Sequence, residues 1–319
     1  MRASQILDPA REIVSRASAL TLGARHPLER GEDVRPFFIV GSGRSGSTLL
    51  RRILQASPQL HVPPEMVALS EAIRVYQRRR ALPWRRLVRT TLAAFERDAG
   101  FAAFGVPLGP LAERLSGAPA QTRSLAAILD GLYRFHGEQT RQRFERWGDK
   151  TPVNAFHLRS IRDVFPRAQI VHVLRDGVDA AYSYVQAGLQ PDLQRAALRW
   201  RDSVAAVRAF ARDHVGMCCE VRYEALVADP AAVVQRLCAV LGVGFDPAML
   251  DARAHVAEMG DVAALAHHAA VRRPIRADSI GRGRRSLGAR ERALLARWIG
   301  PELSACGYAP AESADPPGA

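Results

Sequence analysis

Residues 37–50 read FFIVGSGRSGSTLL, and this stretch decides the fold. A short apolar run leads into a glycine-rich turn, and the turn leads into the helical pattern LLRRIL. The local order is therefore strand, loop and helix. A loop in that context offers backbone N–H groups and a helix N-terminus to an anion. We predict an anion-binding loop at residues 41–48.

The loop fits two common nucleotide-binding patterns only in part. Gly41, Gly43 and Gly46 satisfy the G-x-G-x-x-G pattern of dinucleotide-binding proteins directly after a strand. Gly41 and Gly46 also have the spacing of a Walker A loop, in which Thr48 would supply the hydroxyl. The lysine of that loop is replaced by Ser47.

A third pattern places a basic residue earlier in the loop. Arg44 stands in G-R-S-G-S-T, where its guanidinium can reach a phosphate or sulfate oxygen beside the hydroxyls of Ser47 and Thr48. The loop alone leaves these three interpretations open, so the rest of the chain must decide among them.

The whole chain predicts one large α/β domain with inserted helices. It has 319 residues, of which 48% are hydrophobic, enough for a substantial core. No uncharged apolar run approaches the roughly 20 residues needed to cross a bilayer, and we expect a soluble cytoplasmic protein. The four cysteines and nine histidines show no ligand spacing, so we expect no metal.

The chain is strongly basic, with a formal net charge of +13. That balance favours acidic ligands, nucleic acid or anionic membrane surfaces. The densest basic run is RRRALPWRRLVR at residues 78–89, which mixes arginines with apolar residues. It allows a peripheral membrane contact, although an exposed pair of basic helices is the simpler interpretation.

Periodicity divides the chain into three parts. Residues 1–35 form an N-terminal extension, residues 36–309 the main domain, and residues 310–319 a flexible tail. Helical patterns fill an insertion at about 65–145. A strand, QIVHVL, and the helices around it then predict a parallel sheet.

A second candidate anion site follows that strand, in VLRDGVDAAYS. Strand ends in a parallel α/β sheet face the ligand crevice, so Arg175 would point toward an anion there. Ser183 lies about two helical turns further on and can contribute a hydroxyl to the same group. A structural ion pair of Arg175 with a neighbouring carboxylate is the alternative.

Taken together, four segments resemble the sulfotransferase superfamily that uses 3′-phosphoadenosine 5′-phosphosulfate (PAPS), particularly its bacterial, tyrosylprotein and carbohydrate branches. The segments are G-R-S-G-S-T, W-G-D-K-T-P at 147–152, V-L-R-D-G with its later serine, and V-R-Y-E-A-L-V-A-D-P at 221–230. The resemblance covers roughly residues 36–309. It implies a P-loop-containing nucleotide-hydrolase-like fold, in which a central parallel sheet is flanked by helices.

The resemblance also implies the residues that bind the donor. Ser45, Gly46, Ser47 and Thr48 would hold the 5′-phosphate, and Arg44 would contact the bridging or sulfuryl oxygens. Arg175 and Ser183 would hold the 3′-phosphate, and Tyr223 would lie near the adenine. Arg282 and Gly283 would close over the 3′-phosphate. Relatives often carry a tryptophan at the place of Gly283, which leaves Arg284 and Arg285 as alternatives.

Two further residues would act in catalysis if the resemblance holds. Glu65, in HVPPEM, resembles the catalytic glutamate of tyrosylprotein sulfotransferases and would take the proton of the acceptor. Lys150, in W-G-D-K-T-P, would stabilise the leaving oxygen, unless Asp149 merely neutralises it. A carboxylate that begins a helix after two prolines is the alternative for Glu65, and His61 is expected to be structural.

We therefore predict transfer of a sulfuryl group from PAPS to a hydroxyl or amine, without metal. The acceptor is a small molecule, glycan, lipid or peptide, and no nucleic acid takes part. The alternatives are a P-loop kinase, a dinucleotide-dependent oxidoreductase and a basic binding protein without activity. Ser47 and Arg175 speak against a kinase, since a metal-bound triphosphate would need a lysine and an aspartate there.

Overall fold

The computed structural model of the protein describes residues 26–29, 33–140, 143–251 and 274–313. A sheet of five parallel strands lies at its centre. The strands are β1 (Phe37–Gly41), β2 (Leu60–His61), β3 (Arg146–Lys150), β4 (Gln169–Leu174) and β5 (Cys218–Arg222). Their order across the sheet is β2-β3-β1-β4-β5. The predicted α/β fold with a central parallel sheet is confirmed.

The central strand of the sheet, β1, is buried on both faces. Every residue of β1 is buried, and the residues of β1 alternate between two core clusters, with Phe38 and Val40 in one and Phe37 and Ile39 in the other. Such apolar strands are typical of parallel sheets covered by helices on both sides. Because all strands run in parallel, the loops that follow them meet at one edge of the sheet.

The described residues also form helices around the sheet. The α-helices are α1 (Ser47–Gln55), α2 (Leu69–Arg79), α3 (Trp84–Glu96), α4 (Phe101–Phe104), α5 (Gly109–Ser116), α6 (Leu125–Thr140), α7 (Leu158–Val164), α8 (Gly177–Gln186), α9 (Leu193–Asp213), α10 (Tyr223–Ala228), α11 (Pro230–Leu241), α12 (Arg282–Ser286) and α13 (Ala289–Ala305). Short 3₁₀ helices occur at Ala120–Thr122, Pro152–Phe156 and Pro247–Leu250. None of the described helices is long and apolar enough to cross a membrane.

The segment between β2 and β3 is helical, as its periodicity predicts, and contains α2 to α6. The basic run 78–89 lies within it. Its apolar residues Trp84, Leu87 and Val88 are at most 4% exposed and belong to the main core cluster. This run therefore presents arginines to solvent without an apolar face that could enter a membrane. The simpler interpretation, an exposed basic surface, is the one the structure supports.

Two local elements are not indicated by the sequence pattern. His61 lies on the short strand β2, and the segment directly after β5 forms the helix α10. The predicted tail is also packed at its start, because Ala311 is fully buried. Most of the predicted N-terminal extension and residues 314–319 lie outside the described residues.

Candidate active site

The predicted anion-binding loop joins β1 to α1. β1 ends at Gly41 and α1 begins at Ser47, after Gly46 with φ 92°. Arg44 also adopts a left-handed conformation, with φ 65°. The first N–H groups of any helix lack partners within the helix, and the first turn of α1 contains no acidic residue. The loop end of α1 is therefore suited to an anion.

The glycines of the loop are required by close packing. A Cβ on Gly43 would lie 2.4 Å from the hydroxyl oxygen of Tyr184, and a Cβ on Gly46 would lie 2.4 Å from Cδ2 of Tyr223. Both tyrosines come from the chain after β4 and β5. The glycine spacing thus lets these side chains approach the loop, and this packing accounts for two of the three glycines in the G-x-G-x-x-G match.

The sheet order rules out the dinucleotide interpretation. In a dinucleotide-binding fold, the acidic residue that binds the ribose follows a strand adjacent to β1. Here β3 separates β2 from β1. Glu65, which follows β2, forms an ion pair with Lys150. The oxidoreductase interpretation is therefore wrong.

Two arginines and a serine from distant parts of the chain meet beside the loop. Nε of Arg44 donates to Oγ of Ser183 over 3.2 Å, and Nη1 of Arg175 donates to the carbonyl of Arg44 over 3.0 Å. Arg175 follows β4, which pairs with β1, so the two strand ends bring the motifs together. The structure joins the two anion sites that the sequence predicted separately.

Arg175 is held mainly by groups other than carboxylates. Its guanidinium carbon lies 4.6 Å from the centre of the Tyr223 ring, and Nη2 donates to the carbonyl of Ser279 over 2.8 Å. The nearest carboxylate oxygen, on Asp179, is 3.9 Å away. The alternative of a structural ion pair therefore describes only a minor part of its contacts.

The electrostatics of this group favour an anionic ligand. Burial and the neighbouring Arg175 lower the pKa of Arg44, because two positive charges lie close together. Oγ of Ser45 and Nε of Arg175 are buried and have no hydrogen-bond partner among the described residues. Buried polar groups are rarely left without partners in a native structure. A bound phosphate or sulfate would neutralise the arginines and accept these hydrogen bonds, so the residues fit a nucleotide phosphosulfate.

A carboxylate and an ammonium group meet on the other side of the loop. Nζ of Lys150, at the end of β3, lies 2.5 Å from Oε2 of Glu65 and 3.5 Å from Oγ1 of Thr48. The Lys150 side chain is 1% exposed, whereas that of Glu65 is 33% exposed. Glu65 does not begin a helix, because α2 starts at Leu69. The structural alternative for Glu65 is therefore not supported.

Asp149 does not neutralise Lys150, which was the alternative that the sequence left open for this pair. Instead, its carboxylate accepts hydrogen bonds from the hydroxyl of Tyr133 and the amide of Asn154, each over 2.8 Å. Burial raises the pKa of Asp149 to about 6. Asp149 directly precedes Lys150 on β3, and no local sequence pattern indicated this network.

His61 and His136 form a second buried network that the sequence did not indicate. Nε2 of His61 and Nδ1 of His136 are 2.8 Å apart, and Nε2 of His136 is 3.0 Å from the carbonyl of Phe104. Since that carbonyl can only accept, Nε2 of His136 carries the proton and Nδ1 accepts from His61. Burial lowers the pKa of His136 to about 4. His61 is structural, as expected.

Residues 279–283, which we call the strap, cross the site from the C-terminal part of the chain. The hydroxyls of Tyr223 and Ser279 are hydrogen-bonded to each other, and Arg175 donates to the Ser279 carbonyl. Arg282, at the start of α12, is exposed, and Gly283 is buried. The N–H of Gly283 donates to Oδ1 of Asp179 over 2.7 Å.

Arg284 is not available to a ligand. It is fully buried and donates to Oδ2 of Asp176 over 3.2 Å and 2.7 Å. It also donates to three backbone carbonyls near the end of the described chain, those of Ala309, Pro310 and Ser313. Asp176 caps α8 by accepting from the N–H groups of Val178 and Asp179. The suggestion that Arg284 replaces Gly283 at the phosphate is therefore wrong, and Arg285 donates to the carbonyl of Ile280.

Comparison with known proteins now adds to this geometry. A model of the sulfotransferase family matches residues 36–247, more than half of the chain. The chain belongs to the sulfotransferase family. The match includes the β1–α1 loop, Glu65, Lys150, Arg175 and Tyr223, and it ends before the strap.

Individual relatives of this sulfotransferase are distant. A Caenorhabditis briggsae protein described as a "Putative protein-tyrosine sulfotransferase" is 23% identical over 219 residues, which cover 67% of each chain. The sulfotransferase domain of the Synechococcus PCC 7002 olefin synthase is 26% identical, with a TM-score of 0.47 and coverage of 70% of this chain and 79% of the domain. A sulfotransferase from Alicyclobacillus acidocaldarius is 18% identical, with a TM-score of 0.46 and coverage of 85% and 94%.

Proposed function

We propose that this sulfotransferase takes its sulfuryl group from PAPS, transfers it to a hydroxyl or amine, and releases adenosine 3′,5′-bisphosphate. One observation carries the proposal: Arg44, Arg175 and Ser183 converge at the carboxyl ends of two adjacent strands. A nucleotide with phosphate groups at both its 5′ and 3′ positions would occupy both halves of that group. Its mixed phosphosulfate anhydride supplies the activated sulfuryl group.

The β1–α1 loop would bind the 5′ side of the donor. The N–H groups of Ser45, Gly46, Ser47 and Thr48 stand where α1 begins and can donate to phosphate oxygens. The buried hydroxyl of Ser45 would gain a partner there. Arg44 would stabilise the negative charge that develops on the leaving oxygen.

Arg175 and Ser183 would bind the 3′-phosphate, and Nε of Arg175 would donate to it. Tyr223, packed between Gly46 and Arg175, would border the adenine. We assign the strap's contribution to the side chain of Arg282 rather than to the backbone of Gly283. The reason is that the N–H of Gly283 already donates to Asp179.

Glu65 and Lys150 would carry out the proton and charge transfers. As the acceptor oxygen or nitrogen bonds to sulfur, the bond between sulfur and the bridging oxygen breaks, and Glu65 takes the acceptor's proton. Lys150 would stabilise the bridging oxygen as negative charge accumulates on it. Because Glu65 is partly exposed and Lys150 is buried, the acceptor would approach from the Glu65 side.

The proposed acceptor is a small molecule, glycan, lipid or peptide. The described residues contain no group of His, Cys, Asp and Glu side chains that could hold a metal ion. The proposed chemistry runs through the charged side chains named above.

The test is calorimetric titration with adenosine 3′,5′-bisphosphate in buffer without magnesium. Arg44→Ala and Arg175→Ala should each weaken binding roughly 10- to 150-fold, because a hydrogen bond to a charged group contributes about 1.5–3 kcal/mol. The control is Arg195→Ala, since the side chain of Arg195 is 71% exposed on α9. That variant should bind like the wild type.

Absence of binding by folded wild-type protein would refute the proposed donor. Parallel titrations with ATP and GTP, each with and without magnesium, would then test the kinase alternative. Binding of the bisphosphate would justify a screen of acceptors with PAPS. Product formation would be measured as release of adenosine 3′,5′-bisphosphate.

A further inference from the structure

The strap is attached to the donor site at both of its ends. At its start, Ser279 accepts a hydrogen bond from Arg175 through its carbonyl and bonds to Tyr223 through its hydroxyl. At its other end, the N–H groups of Gly281 and Gly283 donate to Asp179 over 2.6 Å and 2.7 Å. The second attachment depends on a single side chain.

Asp179 is buried, with a side chain that is 0% exposed. Its two oxygens are divided between the two glycines: Oδ2 accepts from Gly281 and Oδ1 from Gly283. Oδ2 is also 3.9 Å from Nη2 of Arg175. A carboxylate without access to solvent cannot contact substrate directly, but this one contacts both the strap and the guanidinium that we assign to the 3′-phosphate.

The two glycines make this attachment possible. Gly281 has φ 69°, a left-handed conformation that favours glycine. A Cβ on Gly283 would lie 2.7 Å from the carbonyl oxygen of Val178 and 3.0 Å from Cα of Asp179. Only a glycine therefore lets α12 approach α8 closely enough for Asp179 to accept both N–H groups.

The attachment also changes what the strap can offer a ligand. With its N–H groups bonded to Asp179, the start of α12 already has an anionic partner within the protein. On the 3′ side of the nucleotide, the positive charges that remain are those of Arg175 and of the exposed Arg282. Asp179 thus holds the strap, and arginine side chains are left to bind the nucleotide.

We propose that Asp179 is a positioning residue of the donor site, which holds the strap in place and, through Ser279, fixes Arg175 for the 3′-phosphate. This inference rests on the proposed function, because it assigns a consequence for the binding of adenosine 3′,5′-bisphosphate. The attachment of the strap itself can be measured without any nucleotide.

The experiment compares Asp179→Ala and Asp179→Asn with the wild type. The first readout is limited trypsin digestion of the free protein, in which mass spectrometry follows cleavage after Arg282 and Arg285 relative to cleavage after the exposed Arg195. Release of the strap should raise that ratio at least about tenfold in Asp179→Ala. Asp179→Asn keeps one accepting oxygen and should give a smaller increase. The ratio separates local release from general destabilisation, which would speed cleavage at all sites.

The second readout is calorimetric titration of the same variants. Asp179→Ala should weaken binding of adenosine 3′,5′-bisphosphate roughly tenfold and leave binding of adenosine 5′-monophosphate within about twofold of the wild type, because only the 3′ side is affected. The matched control is Asp229→Ala, which removes an exposed carboxylate cap from α11. It should change neither the cleavage ratio nor the preference for the 3′-phosphate.

Each outcome decides a separate point. An unchanged cleavage ratio in Asp179→Ala would overturn the attachment, whatever the nucleotide results. A released strap with unchanged affinity for the bisphosphate would overturn the positioning role alone. If the wild type binds no bisphosphate, the proposed function fails and the positioning role fails with it, while the digestion still decides how the strap is attached.

Discussion

The stability of the fold should respond to pH through two buried groups whose effects oppose each other. His136 is 4% exposed, and burial lowers its pKa from 6.5 to about 4. Asp149 is 3% exposed, and burial raises its pKa from 3.8 to about 6. Each pKa unit corresponds to about 1.4 kcal/mol, so each shift is worth about 3 kcal/mol in full.

The signs follow from proton binding in the two states. As the pH falls below 6.5, the unfolded chain protonates His136 and the folded chain does not, so stability is lost until about pH 4. As the pH falls below 6, the folded chain protonates Asp149 while the unfolded chain remains ionised, so stability is gained until about pH 3.8. When the pH falls from 7 to 5, His136 lowers the free energy of unfolding by about 2 kcal/mol, and Asp149 raises it by about 1 kcal/mol.

Substitutions should separate the two effects. When the pH falls from 7 to 5, the free energy of unfolding of His136→Gln should decrease by about 2 kcal/mol less than that of the wild type. The free energy of unfolding of Asp149→Asn should decrease by about 1 kcal/mol more than that of the wild type. The assay is reversible urea unfolding at constant ionic strength, followed by tryptophan fluorescence. The pH dependence of the wild type should lie between those of the variants. If both variants deviate from it in the same direction, or neither does, the reasoning is refuted.

Three further changes test the candidate active site. Glu65→Gln should lower turnover roughly 10²- to 10⁴-fold and leave the dissociation constant of adenosine 3′,5′-bisphosphate within about threefold, and an unaffected rate would remove Glu65 as the base. Lys150→Met should lower the turnover rate constant by a larger factor than it lowers nucleotide affinity. The rate constant is measured in the sulfotransfer assay and the affinity by calorimetry. Gly46→Ala adds a strain of about 1–2 kcal/mol from the left-handed backbone, and its Cβ would lie 2.4 Å from Tyr223. The control is Gly188→Ala, because φ at Gly188 is also left-handed, at 65°, but a Cβ there would meet no atom within 4 Å. Nucleotide affinity should therefore be much lower in Gly46→Ala than in Gly188→Ala. Equal binding by the two glycine variants would contradict the packing argument.

The parts of the fold that the sequence predicted are those whose own residues carry the pattern. β1 and β4 are apolar runs, and the helices of the insertion at about 65–145 keep their helical periodicity. β3 escaped notice because it reads RWGDK. Its buried charges are satisfied by partners elsewhere, such as Glu65, which is 85 positions from Lys150. A local pattern cannot reveal that such a strand is buried.

The residues of the candidate site likewise include some that local motifs reveal and others that only tertiary packing reveals. The loop with Arg44 and the motif with Arg175 are short local patterns, and the structure brings them together. No local pattern marks Asp179 in the sequence, since its partner Gly283 is 104 positions away. Gly283 itself resembled a phosphate ligand, although its N–H is committed inside the protein. Which hydrogen-bonding groups remain available depends on tertiary packing, which the motifs do not encode.

The buried guanidinium of Arg284 makes the last described residues part of the support of the candidate donor site. Trimming of the chain before Ala309 by a protease would remove three carbonyl acceptors from it at once. Among the described residues, the Arg284 side chain would then keep only Asp176, which caps the helix that also carries Asp179 and Ser183. Damage to an apparently dispensable end would therefore spread to the strap, and enzymes shortened there should lose nucleotide affinity before they lose their fold.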